Sequence, residues 1–134
     1  MYSMVCLDTS FIVALIRRDP KAEKRLENYV ASEVKLSTTP IAVCELFKGA
    51  YRSRRREIEV GKVRDVLTHL EVLDFSVEAC ERYGKLVSDL QLMGSPIGDL
   101  DAMIACIAST YNEPILTSDK KHFEKVQSLS LIHI

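Results

Sequence analysis

The stretch Met4–Ile16, MVCLDTSFIVALI, changes character at its fifth residue. Met4-Val5-Cys6-Leu7 is a short apolar run that reads as a buried strand. Asp8 ends it. From Ser10 the apolar residues continue as a helix, with Asp8, Thr9 or Ser10 available as its cap. A strand that passes through one polar turn into a helix is the opening of an alternating α/β chain.

The alternation continues. Strands are predicted at 34–38 (VKLST), 71–75 (EVLDF), 114–119 (PILTSD) and 129–134 (LSLIHI). Helices are predicted at 18–33 with Pro20 in the first turn, at 39–53 with Thr39 as cap and Pro40 first, and at 57–70. Two more follow: one capped by Ser76 and reaching about Leu92, and 99–112, whose run Ala102–Ala108 is apolar all round. In the helix after Ser76, Val77, Cys80, Tyr83, Leu86, Val87 and Leu90 recur at helical spacing. The expected fold is a single α/β/α domain over residues 1–134, three layers around a central parallel sheet of four to five strands.

Bulk properties fit that class and exclude others. The 134 residues are 47% hydrophobic and 28% charged, with 5 Gly and 4 Pro, as in an ordinary globular domain. The longest apolar runs, Phe11–Ile16 and Ala102–Ala108, fall far short of the ~20 residues of a membrane span. No basic leader precedes the first strand, so a cytoplasmic protein is expected. Cys6, Cys44, Cys80 and Cys106 match neither a zinc ribbon nor a disulfide framework, and read as small buried core residues. The net charge of −1 does not advertise nucleic acid.

In open α/β sheets, sites form outside the carboxyl ends of the strands. Asp8 follows the first strand and Asp119 the fourth. Asp99 and Asp101 open the buried helix, and Glu45 lies in the second turn of the helix after the second strand. No comparable set of polar residues is expected on the opposite edge. Singly, Asp8 and Asp99 serve as caps, Asp101 as a first-turn acid and Asp119 as a turn residue. Together they need a counter-charge. Segments 5–16, 37–47 and 96–119 contain no Lys or Arg, and carboxylates about 4–5 Å apart repel by roughly 3–4 kcal/mol at an effective dielectric near 20. An all-oxygen donor set without Cys or His suits a hard divalent ion, Mg²⁺ or Mn²⁺.

Such a cluster suits phosphate-ester hydrolysis by an activated water. No Gly-rich phosphate loop is present. The stretch 48–56, KGAYRSRRR, carries Lys48, Arg52, Arg54, Arg55 and Arg56 without an acid. It reads either as a solvated helix end or as a track for an RNA backbone beside the acids. Tyr51 within it is either a base-stacking ring or a core residue.

Four segments, LDTSF (7–11), AVCELFKGA (42–50), DLDAMIACIA (99–108) and ILTSDKKHF (115–123), resemble in order the acidic motifs of PIN-domain ribonucleases, and most closely VapC-type toxins of toxin–antitoxin pairs. The resemblance implies that Asp8, Glu45, Asp101 and Asp119 are the catalytic, metal-binding acids, with Asp99 close enough to assist. Ser10 and Thr117 correspond to supporting hydroxyl positions. It further implies an RNA substrate, Mg²⁺ or Mn²⁺, a homodimer and a cognate antitoxin. The competing readings are a housekeeping RNA-processing nuclease of the same fold, and a non-catalytic module whose acids dock a basic peptide.

Overall fold

The structure, a computed structural model, describes residues 3–119, 121, 123–126 and 131–133. The elements run β1 (Met4–Leu7), α1 (Thr9–Ile16), α2 (Pro20–Ala31), β2 (Lys35–Thr38), α3 (Pro40–Arg52) and α4 (Arg56–Leu67), followed by β3 (Glu71–Val72), α5 (Val77–Leu92), α6 (Asp99–Thr110), β4 (Ile115–Thr117) and β5 (Leu131–His133). The expected fifth strand is thus present, although 129, 130 and 134 of its predicted span lie outside the described residues.

Local chemistry accounts for most helix starts. Asp19, Thr39 and Ser76 each accept a hydrogen bond from the backbone N–H three residues on, and Pro begins both α2 and α3. At α1 the cap is Asp8, not Ser10: its carboxylate accepts from the Phe11 N–H. At α6 the capping position is Gly98, so Asp99 is the first helical residue rather than the cap. The third strand is shorter than expected. The Leu73 N–H still donates to the Thr38 carbonyl, but strand geometry ends at Val72.

All four strand pairings are parallel, in the order β3-β2-β1-β4-β5. Parallel neighbours need crossovers, so the helices cover both faces. Along β1, Val5 and Leu7 face a core formed with Phe11, Ile12, Leu46 and Val63 from α1, α3 and α4. Cys6 faces the other core, built from Ala79 of α5, Ile104 and Ile107 of α6, and Phe123. β4 divides likewise, Leu116 to the first core and Ile115 to the second.

From β1 the chain first builds outward through β2 and β3, then returns to lay β4 along the opposite side of β1. Strand order reverses between β1 and β4, and a crevice opens at the carboxyl ends of such a pair. Asp8 and Thr117 stand there.

Two expectations fail. Cys6 and Cys106 are buried, but Cys44 and Cys80 are exposed, because they lie on the outward faces of α3 and α5. Val77 of α5 is exposed for the same reason.

Candidate functional site

Asp8 is 4% exposed although it carries a carboxylate. Its position follows from two requirements met by one residue. It ends β1, where its N–H donates to the Leu116 carbonyl, and it caps α1. Thr117, at the end of β4, donates its hydroxyl to Asp8 Oδ2 at 2.6 Å. Ser10 donates to the same carboxylate, 2.9 Å from Oδ1 and 3.0 Å from Oδ2.

These hydroxyls are themselves held. The Ser118 N–H donates to Ser10 Oγ and the Asp119 N–H to Thr117 Oγ1, at 3.1 and 2.8 Å. Asp119 is thereby tied through Thr117 to Asp8. Burial raises the Asp8 pKa. The hydrogen bonds from Thr117, the Phe11 N–H and Ser10 pull it down, and the negative field of Asp101 pushes it up again. Asp8 and Asp101 therefore share one electrostatic environment although they lie on different elements.

Asp101 is the third residue of α6 and half-buried. A Cβ built on Gly98 would stand 3.6 Å from its Oδ2, so the side chain lies back over the helix start. Glu45, in the second turn of α3, is also half-buried and accepts from the Thr9 hydroxyl at 2.7 Å. Neither Asp8 nor Glu45 forms an ion pair with a described residue. Asp99 is exposed, and its Oδ1 accepts from the Tyr83 hydroxyl at 2.9 Å. This raises the Tyr83 pKa, because ionised Tyr83 would lose the bond.

The donors fit a hard divalent ion in kind: four carboxylates, two of them already coupled, with hydroxyls as supports. Among the described residues, however, no three Asp, Glu, His or Cys side chains are gathered closely enough to cage an ion. Carboxylates with no cation between them repel, and here Thr9, Ser10 and Thr117 hydroxyls occupy oxygens of Glu45 and Asp8.

The five basic residues at 48–56 are all exposed, at the far end of α3 and the turn into α4. Arg52 is seven residues from Glu45, two turns along one helix face. Arg56 is partly engaged: its Nε donates to the Tyr51 carbonyl, and its guanidinium lies 5.6 Å from the Tyr51 ring centre. Tyr51 is therefore not a core residue; it is 46% exposed and supports Arg56.

Two features escaped the sequence. Sequence spacing offers Thr9 only as a cap candidate, whereas its hydroxyl reaches Glu45. The opposite edge is not empty: Glu113, immediately before β4, is 6% exposed and lies 2.5 Å from Ser37 Oγ. An acid beside Pro114 has the look of a turn residue, and only the strand order buries it.

A PIN-domain family model matches residues 5–129, and the chain belongs to the PIN-domain family. It is 30% identical over 123 residues to ribonuclease VapC1 of Haemophilus influenzae strain R2866, covering 92% of each chain. A tRNA(fMet)-specific endonuclease VapC of Shigella flexneri is 27% identical, again over 92% of each. Among solved structures, VapBC2 of Rickettsia felis bound to a promoter DNA fragment superposes with a TM-score of 0.90 at 28% identity, covering 98% of both chains. PIN-domain nucleases as a class depend on divalent metal.

Proposed function

We propose that this PIN domain is the endoribonuclease toxin of a toxin–antitoxin pair, with Asp8, Glu45, Asp101 and Asp119 holding Mg²⁺ or Mn²⁺. The observation that carries the reading is the buried Asp8 carboxylate at the β1/β4 switch point, coupled to Asp101 and to the end of β4. The names of the relatives agree with it.

A divalent ion at these acids polarises water and screens the charge on phosphate. The chain's own groups do the rest. Burial raises the Asp8 pKa, and the Thr117, Phe11 N–H and Ser10 donors, which favour the carboxylate, counter part of that rise. A water oxygen bonds to phosphorus as the P–O ester bond breaks. The water's proton passes to a site carboxylate, and the departing oxygen takes a proton from solvent. Asp99, held by Tyr83, assists at the rim. Lys48, Arg52, Arg54, Arg55 and Arg56 follow the RNA backbone.

The toxin acts on RNA in the cytoplasm, as a homodimer silenced by a cognate antitoxin. No helix among the described residues is long and apolar enough to cross a membrane. Sequencing RNA ends after induction of the wild type and of Asp101→Asn tests the proposal. Discrete new ends are expected with the wild type alone, and identical profiles would sink it.

A further inference from the structure

We infer that Thr9 is a positioning residue for Glu45, fixing the α3 carboxylate in the frame that holds Asp8. The inference rests on the metal-site reading above and goes one residue beyond it. Among the described residues, Thr9 is the side chain that donates to Glu45, 2.7 Å from Oε1 and 36 positions away in sequence. Ser10 and Thr117 serve Asp8 instead.

The two partners differ in freedom. A glutamate side chain turns about three bonds, so a half-buried Glu45 without an anchor would sweep its carboxylate across the site. Threonine is branched at Cβ and stiff about its first torsion. Thr9 also begins α1 directly after Asp8, whose position is set by β1, by the Phe11 N–H and by Thr117. A hydroxyl given to a carboxylate makes a short, charge-assisted bond. It takes one lone pair of Oε1 and leaves Oε2 for an ion. In the DTS triplet, residues 8–10, each residue then has a role: Asp8 binds, Thr9 steers Glu45, and Ser10 braces Asp8.

Partners of this kind alter metal affinity by roughly 10–100-fold when removed. Mn²⁺ calorimetry on the full chain tests the inference with Thr9→Val, which keeps the shape, and Thr9→Ser, which keeps the hydroxyl. Thr9→Ala repeats the deletion without a branched side chain at the helix start. The valine and alanine variants should bind Mn²⁺ about tenfold or more weakly, with serine near wild type. On an RNA that the wild type cleaves, Thr9→Val should lower kcat while KM stays within about twofold, since the group acts through a ligand and does not touch RNA. Combined with Glu45→Gln, it should add almost nothing, as expected of two groups acting as one. Wild-type Mn²⁺ affinity in Thr9→Val, or full multiplication of the two losses, overturns the inference alone. A wild type that binds no Mn²⁺ overturns the metal-site reading and this inference with it.

Discussion

The Ser37 hydroxyl stands 2.5 Å from Glu113 Oε1 and 3.0 Å from the Val5 carbonyl oxygen, and it has a single hydrogen to give. That one hydrogen serves two acceptors, so the buried Glu113 carboxylate receives only a shared hydrogen bond. Burial raises the Glu113 pKa; the Ser37 bond offsets this in part, and Glu71 adds to the rise. Burial is the largest cause of the raised Cys6 pKa, and the negative charge of Glu113 adds to it.

The consequence is a stability that depends on pH. A carboxyl whose folded pKa exceeds its unfolded value binds more proton in the fold, so its contribution is complete at low pH. It is lost as pH rises from the unfolded value near 4.5 through the raised folded one. Thermal midpoints should therefore fall as pH rises above about 4.5. Glu113→Gln, which supplies an amide donor for Ser37, should flatten that slope and melt higher than wild type at pH 7.5. An unchanged slope would mean that Glu113 ionises freely.

Asp8→Asn should separate folding from activity. Asparagine caps helices as well as aspartate does and removes the repulsion from Asp101. The metal-free variant should melt no lower than wild type at pH 7, while Mn²⁺ affinity and RNA cleavage fall by more than about a hundredfold. Calorimetry and end sequencing read the two halves.

Thr117→Val keeps the shape of a fully buried side chain but leaves Asp8 Oδ2 and the Asp119 N–H without the hydroxyl between them. An abandoned buried polar group costs about 1–3 kcal/mol. The unfolding free energy from denaturant melts should fall by about 1–3 kcal/mol in Thr117→Val and much less in Thr117→Ser.

The basic run predicts a salt signature. Arg54→Ala and Arg55→Ala should each weaken RNA binding and reduce the slope of log affinity against log salt by up to about one. Filter binding from low to physiological salt measures it, and mutants with the wild-type slope would show these arginines to be solvent-facing only. Arg56→Ala should also loosen Tyr51.

How much could be read beforehand depended on range. The β1–α1 junction was legible because everything that shapes it lies within ten residues: an apolar run, an acid and a helical pattern. The α3 and α5 starts were legible through Thr39, Pro40 and Ser76 for the same reason. Asp8 and Asp119 could be placed on one edge because each follows a strand, and β1 and β4 do lie side by side. Thr9 could not be assigned, because its partner lies on α3 and only packing of α1 against α3 brings them together. Glu113 was invisible because its burial comes from the strand order that sets β4 beside β1 and Ser37 within reach across β1. The exposed Cys44 and Cys80 mark the reverse error: an apolar neighbourhood in sequence is not a buried face in space.

Asp8 caps α1 and, under the function proposed above, also holds metal, and the two duties tolerate different replacements. A toxin gene under pressure to fall silent thus has an inexpensive way out. One change to asparagine would disarm the protein yet leave it folded and abundant. Silenced alleles of this gene should then persist as intact decoys, still able to soak up whatever restrains the active form, rather than vanish as unfolded chains.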